Sequence, residues 1–404
     1  GSNWTITNNH FYNTLPQNAM LGTQTAIYFA PGVSSTGNTI TGNYIGGSAA
    51  NASGTWPGLD AGGPPVTTNY GIYVWVGNGT ATTVSNNTIR NFDFSSGRIP
   101  SFTGIYVNNG QLTISGNTIS DIIAGDNSSM VHGIINSSSQ YPVNVSNNTV
   151  SNISSAGRVY GIRQLAGYGT GPATTIGNTV SGLSSSSTFA HASNPLNSVV
   201  TGIALSGYVN TTRSNTISGL TATAASSSVA VAGIFYNPMT AAGQIAERNF
   251  IHSLDIASSD GTSMIYGIAI GTGGAPFGAP TSATVQNNMI RLGIRSNGTS
   301  ITNGIGITGI YKEGASAQSI YNNNVYIGGV GVSTNASQTS ALRRVSAGAD
   351  NIRNNILVNA RSNSGGTGQH YAIDIGGSNA GLILDYNLYS NYNTTLSANG
   401  TDGH

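Results

Sequence analysis

The sequence predicts an all-β chain wound as a parallel β-helix, a solenoid of about twelve coils with an internal asparagine ladder. Three observations carry this prediction. One short phrase recurs around a fixed asparagine, a second phrase alternates with it, and the composition suits short strands and turns rather than helices.

The first phrase reads "TVSNNTIRNF" at 83–92, "TISGNTISDI" at 113–122 and "NVSNNTVSNI" at 144–153. Its core is an apolar residue, two residues, Asn, one residue and a second apolar residue. It recurs around Asn9, Asn43, Asn87, Asn117, Asn148, Asn178, Asn215, Asn249, Asn288, Asn323, Asn355 and Asn387. The mean step is about 34 residues, a period of repeat architectures. Coils of a β-helix stack about 4.8 Å apart. Asparagine carries both a donor and an acceptor, so stacked amides can bond along the axis and satisfy buried backbone groups at the bend. It also tolerates the left-handed geometry that a sharp bend needs. All twelve asparagines are therefore read as structural. The flanking pairs Ile89 and Phe92, Ile119 and Ile122, Val150 and Ile153, Val180 and Leu183, Ile217 and Leu220, and Ile251 and Leu254 are expected to form internal apolar columns.

The second phrase is a small residue followed by Ile at the start of a short strand. It appears as "GIYVWV" at 71, "GIYV" at 104, "GIFY" at 233 and "GIGI" at 304, among others. Between Asn323 and Asn355 it is missing, and "ALRRV" at 341 stands where it belongs. Helical repeats would need strong helix formers, and propeller blades about four hairpin-linked strands each. Two or three short strands per repeat with variable connections fit a β-helix better.

Composition narrows the function classes. Only 6% of the 404 residues are charged, against roughly 25% in an ordinary domain. The net charge of +1 argues against nucleic acid as a partner. Hydrophobic residues make up 38%, too many for a disordered chain. Cysteine is absent, so disulfides and thiolate metal sites are excluded. No apolar run of about 20 residues is present, so membrane insertion by a helix is not expected. Residues 1–404 read as a single β-helix domain, with loop insertions 46–69 and 184–198 expected to protrude from it.

The 12 carboxylates are thinly spread. Glycoside hydrolysis usually wants two facing one cleft. The nearest approach to a cluster is Asp93, Asp121 and Asp126, with Asp255 and Asp260 as a further pair. His132, His252 and His370 lie in separate coils. Lys312, the one lysine, neighbours Glu313 and reads as an exposed ion pair, and Arg343 and Arg344 read as a solvated face. No catalytic residue, metal ligand or cofactor is therefore assigned. The candidate binding residues are aromatic. If the isoleucines of the second phrase point inward, Tyr28, Tyr73 and Tyr106 point outward, with Trp75 beside them and Trp56 in the first insertion. Exposed aromatics suit the apolar faces of sugar rings. Exposed threonine columns look irregular, which weakens an ice-binding reading.

The C-terminal third carries a resemblance. "SIYNNNVYIGG" (319–329), "IRNNILVNARSNSGGTGQHYAI" (352–373) and "LDYNLY" (384–389) resemble the β-helix-repeat regions of very large secreted proteins of Bacteroidota-like bacteria, many of which end in a type IX secretion sorting domain. The resemblance implies a right-handed parallel β-helix, export and an extracellular or cell-surface setting, and supplies no catalytic residues. The expected role is a non-enzymatic stalk, adhesin segment or filament subunit. Its expected partners are copies of itself stacked end to end, further domains of a longer chain, or polysaccharide. The alternatives are a carbohydrate-binding module and a polysaccharide lyase or hydrolase.

Overall fold

Within each of two runs, Asn9 to Asn178 and Asn215 to Asn387, a ladder asparagine bonds its counterpart one coil further on. In the computed structural model, the Asn87 backbone N–H and side-chain Nδ2 both donate to Asn117 Oδ1, at 3.0 and 2.9 Å. The same Nδ2 also donates to the Ile40 carbonyl of the preceding coil at 2.9 Å. One amide thus satisfies the bend's backbone on both sides. The pattern links Asn9, Asn43, Asn87, Asn117, Asn148 and Asn178. It repeats through Asn215, Asn249, Asn288, Asn323, Asn355 and Asn387.

The structure describes residues 1–15, 22–56, 68–95, 101–138, 141, 143–165, 173–191, 194–207, 210–238, 243–271, 282–332, 337–365 and 367–391. The chain divides into two compact units, Gly1–Ser187 and Thr188–His404. Each is a parallel β-solenoid of three sheets.

In the first unit the sheet preceding the ladder runs from Thr5–Thr7 through Thr39–Thr41, Thr82–Ser85, Leu112–Ser115 and Val143–Ser146 to Ala173–Ile176. The sheet following the ladder runs from His10–Phe11 through Tyr44–Gly46, Thr88–Phe94, Thr118–Ala124 and Thr149–Ser155 to Thr179–Ser185. The third sheet holds the Gly-Ile phrases and runs from Thr23–Phe29 through Thr68–Trp75, Ser101–Asn109 and Met130–Asn136 to Arg158–Leu165. In the second unit the corresponding sheets span Asn210–Arg213 to Ile383–Asp385, Thr216–Ser218 to Leu388–Asn391, and Val200–Gly207 to His370–Ile375. Among the described residues no helix is long and apolar enough to cross a membrane.

The expected apolar columns lie inside. Ile89, Ile119, Val150 and Val180 align in register and are buried, as are Phe92, Ile122, Ile153 and Leu183. The two columns stand three residues apart, where simple alternation would allow two or four. A left-handed residue between them resolves this. Asn91, Asp121, Asn152 and Gly182 all have φ between 54° and 63° and turn the strand so that both flanks face the core.

The left-handed position at the ladder bend also differs from expectation. The residue before each ladder asparagine adopts it, as at Asn86, Gly116, Asn147 and Gly177. The ladder asparagine keeps negative φ, which leaves its amide directed along the stack.

The glycine of the second phrase is required by close approach. A Cβ on Gly133 would lie 2.6 Å from the Gly161 carbonyl oxygen and 2.5 Å from a Val150 methyl. The third sheet therefore rests backbone-first on the sheet following the ladder. Register corrects one assignment of this phrase. Ile310 pairs with Ile268 on one side and Leu342 on the other, so Gly309-Ile310 holds the slot rather than "GIGI" at 304. The same pairing puts Ala341 of "ALRRV" in the glycine slot, in line with its expected place.

Lys312 and Arg344, beside these phrases, are not solvated. Lys312 and Arg344 align one coil apart between the buried Ile270 and Ile375, and are 1% and 0% exposed. Asp350 Oδ2 bonds both, at 2.7 Å from Arg344 Nε and 3.0 Å from Lys312 Nζ. Asp350 Oδ1 accepts the Gln318 N–H at 2.8 Å. Arg344 donates further to the carbonyls of Gly376, Gly348 and Ser378, and Lys312 to that of Ser346. The exposed Lys312–Glu313 pair is thus overturned, because strand alternation turns Lys312 inward. Arg343 faces the other way and pairs with Asp374 at 3.1 Å. Burial lowers the Lys312 pKa, with Asp350 opposing the shift.

Two outcomes follow. Asn117→Leu leaves two Asn87 donors and the Val84 carbonyl without their partner, and is expected to destabilise the first unit by about 3 kcal/mol or more in denaturant titration. Asp350→Ala leaves two buried cations uncompensated, and the same titration is expected to show a loss of about 3–5 kcal/mol in the second unit.

Candidate functional site

The candidate aromatics lie on the third sheet of the first unit and at the insertion beside it. Strand alternation buries Ile27, Ile72 and Ile105 and turns Tyr28, Tyr73 and Tyr106 outward in one register column. The rings stack at 4.8 Å and 18° between Tyr28 and Tyr73, and at 5.3 Å and 17° between Tyr73 and Tyr106. Those separations follow the strand spacing. Each ring therefore covers its neighbour's face, and the edges and hydroxyls turn to solvent. Tyr70 packs against both Tyr73 and Tyr106. Burial, then neighbouring tyrosines, raise the pKa values of Tyr70 and Tyr73. Tyr28, 64% exposed, ends the stack. Trp75 is 39% exposed and stands where the register slips after Val74, off the column. The column continues as Ile135 and Arg163. It works as a cross-strand stack, a kind of contact worth about 0.5–1.5 kcal/mol per pair, with Tyr28 exposed at its end.

Trp56 belongs to a different feature. The strand Tyr44–Gly46 pairs with Thr88–Phe94 only as far as Arg90, after which the first insertion leaves the sheet. The chain returns at Trp56, which bridges to Phe92 in parallel and packs its ring 5.0 Å from that of Phe92. Pro57 and Asp60 of the insertion lie outside the described residues. The Trp56 N–H donates to the Asn91 carbonyl at 2.8 Å, so the returning chain lies against Phe92. A cavity of about 350 Å³ opens there, lined by Gln24, Thr25, Ala26, Trp56, Asn69, Tyr70, Phe92, Phe94 and Phe102. Asn69 takes the inward slot between Gln24 and Phe102. It is 6% exposed, and its Nδ2 has no hydrogen-bond partner among the described residues. Sequence reasoning found Trp56 but missed Asn69 and the phenylalanines. The available signal was an amide at 69 in a slot that later holds Phe102, Val131 and Val159.

The ionisable candidates are engaged locally. Asp121 occupies the left-handed bend, and its carboxylate accepts from Ser120 Oγ and Asn152 Nδ2. Asp93 accepts the Ser95 N–H, and Asp126 the Ser128 N–H and hydroxyl. Asp255 pairs with Arg295 at 2.9 Å, and Asp260 accepts from Thr262. Among the described residues no three His, Asp or Glu side chains gather as a metal site. In the second insertion Phe189 is exposed, whereas His191 is buried with Nε2 2.7 Å from the Thr262 carbonyl.

His132 stacks on Tyr160 at 5.2 Å, with Arg163 Nη1 3.3 Å from its Nε2. Burial first, then Arg163 and Arg158, push its pKa down to about 3. His370 is held between Thr339 and Asn363, and burial followed by Arg361 lowers its pKa to about 4.

The fold defines a class, the three-sheet parallel β-solenoid. Beyond that class, no family model, curated protein or solved structure matches the chain.

The histidines yield a pH dependence. The unfolded chain binds protons at His132 near pH 6.5, and the folded chain only near 3. Stability is therefore full above about 6.5 and falls as pH drops toward 3. His132→Phe keeps a ring on Tyr160 without a titrating group. It is expected to flatten the decline of the first unit's unfolding midpoint between pH 7 and pH 4, measured by circular dichroism at stepped pH.

Proposed function

We propose that this chain is a non-catalytic structural solenoid, a stalk, adhesin segment or filament subunit within a large secreted protein of the Bacteroidota-like kind, held outside the cell or at its surface. One observation carries the reading. The stretch on which the resemblance is most specific, within 352–373, turns Asn359, Arg361 and His370 into the fold. Arg361 is fully buried, and its guanidinium donates to the carbonyls of Ile301 and Asn303 at 2.8 and 3.0 Å. Asn359 donates to Thr339 and to the Tyr371 carbonyl. His370 bonds Thr339 and Asn363. Residues of the types that chemistry needs are thus engaged in holding one coil to the next.

The ladder supports the same reading. A polar interior satisfied rung by rung resists local opening, because removing one rung orphans groups on its neighbours. Such a chain suits a spacer. End-to-end association with copies of itself is part of the proposal, since an unpaired coil edge would be a template for further strands.

The test is made on native cells. Antibody against the chain is expected to label unpermeabilised cells, and electron cryomicroscopy of the released material is expected to show copies joined end to end. Purified native protein is expected to release neither reducing ends nor unsaturated uronates from a polysaccharide panel. Product release above controls, or label confined to permeabilised cells, would overturn the proposal.

A further inference from the structure

We infer that the cavity beneath Phe92 in the first unit is a binding site for one neutral sugar unit, the end or side branch of a glycan. Three observations converge on this class. The walls are aromatic, with Trp56, Tyr70, Phe92, Phe94 and Phe102 around a space of about 350 Å³. Ligand pockets span about 300–1,000 Å³, so this one suits a single ring rather than a chain. The lining residues Gln24, Thr25 and Asn69 supply polar groups without charge. Among the described lining residues none carries a charge, which disfavours uronates and phosphates.

The decisive group is Asn69. Asn69 lines the cavity, and its buried Nδ2 has no hydrogen-bond partner among the described residues. A wholly apolar ligand would leave that donor unsatisfied, whereas a hydroxyl or ring oxygen would accept from it. A pyranose offers both parts of the match. Its C–H face packs on aromatic rings and its oxygens meet the amide. Trp56 takes the place beside Phe92 that Ile122 takes on its other side, and so sets an aromatic ring at the edge of the space.

This inference is independent of the structural role proposed above. A spacer carrying such a pocket would tether its owner to a glycan, and loss of one reading leaves the other standing.

The test uses the full chain with Trp4→Phe and Trp75→Phe, so that emission reports Trp56 alone. Methyl glycosides of glucose, galactose, mannose and N-acetylglucosamine are titrated to tens of millimolar. A saturable change with at least one of them is expected, confirmed by calorimetry on the unsubstituted chain. Asn69→Leu is expected to weaken that binding about tenfold or more while the far-ultraviolet spectrum is retained. Trp56→Ala, read by calorimetry, is expected to weaken it similarly. Absence of saturation with every glycoside would overturn the inference, as would binding that neither substitution alters. Asn69→Leu that only raises the unfolding midpoint, with no sugar response in the parent chain, would mark the cavity as a packing defect.

Discussion

The structure depends on the bifurcated hydrogen bond between successive ladder asparagines. Each Oδ1 receives a backbone N–H and a side-chain N–H from the coil before it, and each Nδ2 reaches back to a carbonyl of that coil. The bond satisfies backbone groups at a bend that sheet pairing does not reach. It also fixes register. A strand slipped by one residue would turn its apolar set to solvent, and a polar pin at every coil opposes that slip. The columns from Ile89 to Val180 and from Phe92 to Leu183 align because the asparagines beside them do.

The chain carries few charges and places several where they hold coils together. Asp350 accepts from cations on two coils at once, which ties Lys312 to Arg344 across the strand spacing. Arg361 does comparable work with carbonyls only. Burial of these groups is costly, and each is tolerated because nearly every polar atom around it has a partner. The half-exposed pairs Arg343–Asp374 and Arg295–Asp255 contribute far less, since solvent screens them.

Two aromatic features sit close together and behave differently. The tyrosine column is ordered by the strands, so its faces are occupied by one another. The cavity arises where strand order lapses, and its rings meet at varied angles around an open space. An interruption in a solenoid thus accompanies a concave, aromatic-lined space beside its regular strands.

The sequence by itself determined the solenoid, its asparagine ladder and its inward columns. Those features repeat along the chain, and each repeat needs only its neighbours to be satisfied. It also pointed to Tyr28, Tyr73 and Tyr106 as an outward column, because alternation from a buried isoleucine is a local rule. Only the tertiary structure decided which residue of the bend is left-handed, which Gly-Ile phrase is in register, and that Lys312 and Arg344 lie inside. Each depends on what the adjacent coil presents at the same height. The cavity was equally illegible, since its lining residues, from Gln24 to Phe102, come from separate strands that meet only in the fold. Asn69 gains its meaning from the rings around it, and local sequence carries no record of them.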